Sequence, residues 1–142
     1  MVGKVLLIDD EEDFLAVMAE RMTARGFSVT TATCAKQALH MVATSSFDAV
    51  ILDLMMPGMD GIETLKFLKK QNPDVQVILL TAHATVEKGV AAMKLGAMDL
   101  VEKPADMSIL IGKIRKARDK KMIRMEKKTE NRIKNILGSK AW

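Results

Sequence analysis

Five short apolar runs alternate with segments of helical periodicity along the 142 residues, and this alternation limits the possible folds more than any other feature. Three of the runs are rich in Val, Ile and Leu without regular polar positions, which is typical of strands buried on both faces. Strictly alternating strands and helices predict a parallel sheet with helices on both of its faces. The five predicted strands are Lys4–Ile8, Ser28–Thr33, Ala49–Leu54, Val75–Leu80 and Asp99–Glu102.

The segments between the runs predict four helices, and a longer fifth helix follows the last run. Gly26 and Gly96 are predicted to stop two of them, and Thr85 is placed to cap the fourth. The predicted helices are Glu12–Arg25, Ala35–Ala43, Ile62–Gln71, Val86–Leu95 and a segment from Asp106 to about Leu137. The predicted core-facing residues are Leu15, Met18 and Met22 in the first helix, Ile62, Leu65, Phe67 and Leu68 in the third, and Val90, Met93 and Leu95 in the fourth.

The residues that end the predicted strands carry most of the chemical information. In an open parallel sheet the carboxyl ends of the strands lie along one edge, where ligands bind. Thr33 ends the second strand with no charged residue after it, which fits a strand at the side of the sheet. The other four strands bring polar groups to this edge, namely Asp9 with Asp10, Asp53, Thr81 and Lys103.

Three carboxylates that meet at one sheet edge repel one another and raise each other's pKa. A divalent cation relieves this repulsion, and oxygen ligands without a nearby His or Cys favour magnesium. A magnesium ion beside a carboxylate nucleophile, a lysine and a hydroxyl group is the equipment for phosphoryl transfer. Asp53 is the best candidate nucleophile because it ends the apolar run Ala-Val-Ile-Leu-Asp.

Four linked motifs make the chain resemble the receiver domain of two-component response regulators. They are Leu-Leu-Ile-Asp-Asp-Glu at 6–11, Ile-Leu-Asp-Leu-Met-Met-Pro-Gly-Met-Asp-Gly at 51–61, Leu-Thr-Ala at 80–82 and Lys-Pro at 103–104. They follow the family's order and spacing and place the receiver at residues 1–118. The resemblance implies a flavodoxin-like, doubly wound sheet of five parallel strands in the order 2-1-3-4-5, as in single-domain, CheY-like regulators.

The resemblance implies that this edge holds a phosphoacceptor and Mg²⁺. Asp53 resembles the aspartate that receives a phosphoryl group from a histidine kinase or a phosphotransfer protein. Asp10 resembles the direct metal ligand, and Asp9 resembles the neighbouring acid that acts mostly through water. The backbone carbonyl of Met55 falls at a further protein contact to the metal.

The resemblance also assigns the residues that read the phosphate, with one departure from the family pattern. Thr81 resembles the hydroxyl that moves to bond the phosphate, and Lys103 resembles the lysine that contacts it, followed by Pro104 in a cis peptide bond. The residue three before this lysine is commonly Tyr or Phe in the family and turns inward on activation. Here it is Leu100, so the usual coupling of threonine to an aromatic ring is absent in that form.

Two further positions are candidates for setting the lifetime of the phosphate. Met55 lies two residues after the predicted acceptor, and His83 lies two residues after the predicted switch threonine. Our hypothesis is that the bulky Met55 side chain hinders the water that attacks the acyl phosphate. The expected outcome is faster loss of phosphate in a Met55→Asn variant.

Other classes of protein fit these residues less well. A magnesium-dependent phosphohydrolase with an aspartyl phosphate needs a second acid two residues after the nucleophile, where Met55 stands. A flavin-binding protein of similar topology needs a glycine- and hydroxyl-rich loop after the first strand, but Asp9–Asp13 would repel a phosphate there. A phosphate-independent adaptor has no need of all five polar residues. The sequence favours a switch that promotes its own phosphorylation and dephosphorylation, without turnover of an external substrate.

Several residues also have ordinary structural interpretations. The acids of Asp9–Asp13 are compatible with a solvated loop that favours a helix N-terminus, but their pattern with Asp53 and Lys103 favours the site. His40 and His83 are interpreted as surface residues, because no acid or Cys accompanies them at ligand spacing. Cys34 is interpreted as a buried or capping residue rather than a redox centre. The loop methionines at 55, 56 and 59 are alternatively a soft contact surface.

The net charge of +4 conceals an acidic body and a basic tail. Residues 1–112 hold 10 Lys/Arg and 15 Asp/Glu, a net of −5, whereas residues 113–142 hold 12 and 3, a net of +9. The high pI of about 9.2 therefore describes the tail and is no argument for nucleic-acid binding by the whole chain. One cysteine, no signal-peptide pattern and no apolar stretch of about 18 residues favour a cytoplasmic protein without a membrane segment.

The tail is predicted to continue the last helix as a basic amphipathic extension at 119–142, without a separate effector domain. The apolar stripe favours a downstream protein partner or self-association through the last helix, while an acidic surface, non-specific nucleic acid and plain solvation remain alternatives. Basic residues without aromatic residues or a helix-turn-helix pattern argue against specific DNA binding. The stripe consists of Ile111, Ile114, Met122, Met125, Thr129, Ile133 and Ile136.

Overall fold

The five apolar runs form one parallel sheet in a computed structural model that describes residues 2–56, 59–83 and 85–139. Its strands are β1 (Gly3–Ile8), β2 (Phe27–Ala32), β3 (Ala49–Asp53), β4 (Val77–Thr81) and β5 (Asp99–Glu102). Their order across the sheet is β2-β1-β3-β4-β5, and every neighbouring pair is parallel. The predicted fold and strand order are therefore confirmed. Pro57 and Gly58 of the second motif and the last three residues lie outside the described residues.

Five helices connect or follow the strands, and their bounds agree with the predicted ones to within about two residues. Gly26 and Gly96, the two predicted stops, both have a φ of 93°, which is the left-handed region predicted for Gly26. The Thr85 hydroxyl accepts a hydrogen bond from the Lys88 backbone N–H and so caps its helix, as predicted. The helices are α1 (Glu12–Ala24), α2 (Ala35–Thr44), α3 (Gly61–Gln71), α4 (Val86–Lys94) and α5 (Met107–Ser139).

Both faces of the sheet are covered, which explains why the strands are apolar at successive positions. Along β1, Leu6 and Ile8 pack towards α2, α3 and α4, whereas Val5 and Leu7 pack towards α1 and α5. Each fully buried aliphatic side chain of this kind contributes about 1.5–3 kcal/mol to folding. The two packed layers hold the carboxyl ends of the central strands in fixed relative positions.

Three residues predicted to face the core point outward instead. Phe67 is 52% exposed, and Val90 and Met93 of α4 are exposed to a similar extent. At 100° per residue, Phe67 lies about 160° from Leu65, so it cannot share the buried face of α3. Helix α4 packs through the small, fully buried Ala92, which directs Val90 and Met93 toward solvent. Cys34 is exposed as well, so its interpretation as a buried residue is wrong. It occupies the N-cap position of α2, as the alternative interpretation had it, but its side chain makes no capping hydrogen bond.

The chain turns sharply after β3. Residues Met55–Met56 pair antiparallel with Met59–Asp60, and the Asp60 carboxylate caps α3 by accepting a hydrogen bond from the Ile62 N–H. A Cβ at Gly61 would lie 2.6 Å from the Leu54 backbone, so only glycine fits this close approach. These contacts return the chain beside the end of β3 and shape the loop next to Asp53.

Helix α5 is one continuous helix that begins on the sheet and continues beyond it. Leu110, Ile114 and Ala117 are buried against the sheet face that also holds α1. Further along, the Lys121 ammonium donates to Ser46 Oγ and to the Phe47 carbonyl in the loop before β3. Among the described helices, none has the length and apolar character to cross a membrane.

Candidate phosphoryl-transfer site

The ends of four strands bring the candidate residues to one edge of the sheet. Asp9 follows β1, Asp53 is the last residue of β3, and Thr81 is the last residue of β4. Lys103 follows β5, and its backbone N–H donates to the Thr81 carbonyl at 2.7 Å. Because β1, β3, β4 and β5 are adjacent or nearly so in the sheet, residues 94 positions apart in sequence come into direct contact.

Three carboxylates form the centre of this edge. One oxygen from each of Asp9, Asp10 and Asp53 lies within 4.8 Å of the others. Asp9 is 2% and Asp53 5% exposed, whereas Asp10 faces solvent. The Glu11 N–H donates to Asp9 Oδ1 at 2.9 Å, and the Met55 N–H donates to Asp53 Oδ1 at 3.2 Å. The backbone thus orients the two buried acids and leaves Asp10 accessible.

Lys103 supplies the positive charge of the site. Its Nζ lies 2.8 Å from Asp9 Oδ2 and 3.6 Å from Asp53 Oδ2. Burial alone would lower the pKa of Lys103, but the hydrogen bond to Asp9 and the charge of Asp53 hold that pKa above its ordinary value. The ammonium therefore stays charged and bridges the two buried carboxylates.

One ammonium does not balance three carboxylates, and the pKa of Asp53 reflects this excess of negative charge. Burial raises the pKa of Asp53, and the charges of Asp9 and Asp10 raise it further. The hydrogen bond from Met55 and the charge of Lys103 only partly oppose these effects on the pKa. A cluster of hard oxygen donors with excess negative charge is compatible with a divalent cation.

Thr81 is completely buried at the end of β4. Its hydroxyl oxygen accepts a hydrogen bond from the His83 N–H at 3.2 Å, so the hydroxyl proton is directed elsewhere. The peptide bond between Lys103 and Pro104 is cis, the isomer that the resemblance implies. These backbone contacts tie the loops after β4 and β5 to each other beside Asp53.

The structure places the remaining candidate residues around the cluster rather than in it. Leu100 is half-buried and packs against α4, where its Cδ2 would lie 3.5 Å from a Cβ at Gly89. The Met55 side chain is exposed, and its sulfur lies 3.5 Å from Lys88 Nζ. The side chain of His83 is exposed too. Met55 thus contacts Asp53 through its backbone N–H, and His83 contacts Thr81 through its own.

Sequence reasoning missed Phe14 in the first turn of α1. The Lys103 ammonium lies over the Phe14 ring, 4.3 Å from the ring centroid. Phe14 stands one helical turn before Met18 of the buried face and immediately after the acidic run, so its position faces both the core and the site. The sequence signal that could have revealed Phe14 was the presence of an aromatic residue at this place in a chain that has few of them.

Comparison with known proteins identifies the family of the chain. The family model described as the response regulator receiver domain matches residues 5–115. The transcriptional regulatory protein ZraR of Escherichia coli (strain K12) is 37% identical over 113 residues, which cover 80% of this chain and 26% of ZraR. A putative NtrX-like response regulator of Rickettsia bellii is 38% identical over 115 residues, covering 80% of this chain and 24% of that protein. The chain therefore spans about a quarter of the length of these curated relatives.

Solved structures have the same fold. A response regulator receiver domain protein from Clostridium thermocellum is 32% identical with a TM-score of 0.80, and the match covers 85% of this chain and 98% of that one. A CheY-like receiver domain protein from Methanospirillum hungatei JF-1 is 25% identical with a TM-score of 0.81, covering 87% and 99%. From the motifs, the sheet, the acidic edge and these matches, the chain belongs to the response regulator receiver domain family of two-component signalling.

Proposed function

We propose that Asp53 accepts a phosphoryl group from a histidine kinase or a phosphotransfer protein. The observation that carries the proposal is the buried Asp53 carboxylate at the end of a central strand, 3.6 Å from an ammonium and within 4.8 Å of two further acids. In the transfer, an Asp53 oxygen bonds to the phosphorus of a phosphohistidine. The bond from phosphorus to the imidazole nitrogen breaks, and its electron pair leaves with the imidazole.

Asp9, Asp10 and Asp53 would hold the magnesium ion, together with the backbone carbonyl of Met55. Both Asp9 oxygens already accept protein hydrogen bonds, from Glu11 and Lys103, whereas Asp10 is exposed. This supports Asp10 as a direct ligand and Asp9 as one that acts mostly through water. Bound magnesium would neutralise charge that develops on the transferred phosphoryl oxygens.

Lys103 and Thr81 are the groups placed to contact the new phosphate. The Lys103 ammonium needs only a small movement from Asp9 to reach an oxygen on phosphorylated Asp53. Thr81 ends the neighbouring strand, and Asp53 pairs in register with the preceding Leu80. A shift of Thr81 toward the phosphate would pull the loop of His83 with it, since the His83 N–H is bonded to the Thr81 hydroxyl.

The protein is proposed to act as a switch and not as an enzyme with an external substrate. A phosphohydrolase would need a proton donor two residues after Asp53. Met55 stands there, and a thioether has no proton to give. Leu100, packed against α4, is the residue through which the change would reach the surface, by repacking on a smaller scale than an aromatic ring.

Phosphate uptake tests the proposal directly. The protein is incubated with a small phosphodonor and Mg²⁺, and the intact mass is measured for wild type, Asp53→Asn and Asp13→Asn. Wild type and Asp13→Asn should gain one phosphoryl group, because Asp13 is exposed on α1 outside the cluster. Asp53→Asn should gain none. Failure of wild type to gain mass, or equal gain by Asp53→Asn, would contradict the proposal.

Met55 is proposed to prolong the life of the phosphate by hindering the attacking water, with His83 as a second tuning position. The Met55 side chain is exposed two residues after the acceptor, and its sulfur lies 3.5 Å from Lys88 Nζ. Asparagine is smaller and can orient a water molecule, so Met55→Asn should lose phosphate several-fold faster. Decay of the phosphorylated mass over time measures this, and an unchanged or slower decay would rule out the idea.

We also propose that the last helix pairs with a second copy of the chain. Contacts of Lys121, Arg124 and Lys128 with the body fix how α5 is rotated beyond the sheet. With that rotation, the exposed Met122, Met125 and Ile133 point to one side rather than at the body. The acids of the extension lie along one flank of this stripe, at Asp119, Glu126 and Glu130, and Arg132 lies on the other.

In a parallel pair the opposite flanks of two helices face each other, so this charge pattern favours parallel self-association over antiparallel. Sedimentation of the full chain should show a dimer that Ile133→Glu weakens and Lys127→Gln leaves unchanged. A monomer at all concentrations, in both phosphorylation states, would exclude self-association and leave a different protein partner. No specific DNA binding is expected.

A further inference from the structure

Phe14 is half-buried in the first turn of α1 and lies directly against the proposed phosphoryl-transfer site. Its ring face is 4.3 Å from the Lys103 ammonium, measured to the ring centroid. The remainder of the ring packs with the core residues under α1. The proposed transfer assigns no role to this side chain, although it touches the only cation found among the carboxylates in the described part of the site.

The position of Lys103 Nζ follows from three contacts. Nζ lies 2.8 Å from Asp9 Oδ2 and 3.6 Å from Asp53 Oδ2, and both carboxylates attract it. A lysine has a long flexible stem, so two acids alone leave several rotamers that satisfy them. The Phe14 ring bounds the ammonium on another side, and the negative face of an aromatic ring attracts a cation in a poorly hydrated place. The Lys103 side chain is only 16% exposed, which meets that condition.

We propose that Phe14 is a positioning residue for Lys103, holding the ammonium beside Asp9 and Asp53 so that it meets the incoming phosphoryl oxygens with little movement. This inference rests on the proposed phosphoryl transfer to Asp53. Held against the ring, the ammonium keeps contact with Asp9 before transfer and needs only a short movement afterward. Loss of the ring would spread Lys103 over other rotamers and lower the fraction of molecules ready for transfer.

A plain packing role is separable from a positioning role by the choice of substitution. Phe14 lines a small cavity under α1 together with Leu15, Met18 and Ile51. Phe14→Leu keeps an apolar side chain over this cavity but removes the ring face. Phe14→Tyr keeps the ring face and serves as the conservative variant. Phe67→Leu, the same substitution at an exposed position on α3, is the matched control.

Proton NMR of the lysine side chains in the full, unphosphorylated chain gives the first measurement. Protons above an aromatic ring are shifted upfield, so the Lys103 Hε resonance should be displaced from those of the other lysines, and Lys103→Gln assigns it by its disappearance. The displacement should persist in Phe14→Tyr and Phe67→Leu and vanish in Phe14→Leu. An undisplaced resonance in wild type, or an unchanged one in Phe14→Leu, would overturn the inference.

The rate of phosphate uptake from a small donor gives the second measurement. Phe14→Leu should take up phosphate about three- to tenfold more slowly, as expected for loss of one cation–π contact, while Phe14→Tyr stays close to wild type. A Phe14→Leu rate equal to wild type, or an equal slowing in both Phe14 variants, would contradict positioning by the ring. If wild type takes up no phosphate, the proposed function fails, whereas the NMR shift still decides the Phe14 contact by itself.

Discussion

The two ends of the sheet each hold a carboxylate beside lysines, with opposite electrostatic results. At the carboxyl end, burial and the neighbouring acids raise the pKa of Asp53. At the other end, Asp74 precedes β4 and is paired with Lys128 and Arg124 of α5. The hydrogen bond from Lys128 and the surrounding positive charge lower the pKa of Asp74. The first carboxylate lies among acids, and the second lies among bases.

This difference separates a reactive site from a structural contact. The charge of Asp74 is balanced within the protein, because cations on α5 outnumber the acid they hold. The Asp53 cluster is incomplete, because three acids share one ammonium, and it gains from any added cation or from conversion of a carboxylate to another group. Unsatisfied charge of this kind costs stability and marks candidate functional sites.

The largest expected effect comes from removing Lys103, the cation at the carboxyl end of the sheet. Lys103→Met leaves the almost fully buried Asp9 without its ion pair, and this should lower the free energy of unfolding by about 3 kcal/mol without divalent cations. Mg²⁺ should restore part of the loss. Urea unfolding with and without Mg²⁺ measures both effects. Lys128→Met, which removes a lysine with a 59% exposed side chain, is the control and should cost less than about 1 kcal/mol, so equal losses would refute the contrast.

Removing a carboxylate from the carboxyl end of the sheet should have the opposite effect and raise the free energy of unfolding. Two unit charges 4.8 Å apart repel by about 1 kcal/mol even at the dielectric constant of water, so Asp53→Asn should stabilise the metal-free protein by at least about that much. The pKa of Asp53 is raised in the folded state, so its penalty is fully present above that pKa. As pH falls through the folded pKa and below 3.8, the advantage of Asp53→Asn should disappear.

Urea unfolding between neutral and acidic pH, with a chelator present, tests this sign. A variant that is less stable than wild type at neutral pH would show that the Asp53 charge is already balanced in the metal-free protein. Asp48→Asn offers a comparison, since Asp48 accepts a hydrogen bond from the Lys4 N–H and should lose rather than gain stability on substitution.

Much of the fold was predictable because burial on both faces leaves a clear pattern. The runs ending at Ile8, Asp53 and Thr81 are apolar at successive positions, and only a doubly covered sheet buries such strands. The convergence of Asp9, Asp53 and Lys103 followed from the same step, since parallel strands end along one edge. Predicting that these polar residues converge required no further motif, because each of them ends or follows a strand.

The errors arose where neighbours decide which face of a helix is buried. Val90 and Met93 are apolar but exposed because α4 approaches the sheet through Ala92, and composition alone does not reveal which residue makes the closest approach. Phe14 was overlooked because its partner Lys103 lies 89 positions away. The contact of Asp74 with α5 was missed for the same reason, since both partners are charged surface types in the sequence.

The smallest expected effect concerns the contacts that α5 makes at the amino end of the sheet. One side of α5 faces the body as far as Lys128, with residues spaced four and three apart: Leu110, Ile114, Ala117, Lys121, Arg124 and Lys128. The apolar members pack on the sheet, and the basic ones contact Ser46, Phe47 and Asp74 at its amino end. The helix therefore keeps the same side toward the body, and the contacts on that side change from apolar to ionic along its length.

Asp74→Asn should release the second half of α5 while lowering the free energy of unfolding by less than about 1 kcal/mol, because the Lys128 and Arg124 partners are more than half exposed. Amide hydrogen exchange beyond Lys121 should accelerate, with exchange in the sheet unchanged, and Glu126→Gln should have no such effect. Because the folded pKa of Asp74 is lowered, its contribution is present above 3.8 and lost as pH falls through the folded value. Unchanged exchange in Asp74→Asn would mean that the helix is held by its own hydrogen bonds and not by the charge pair.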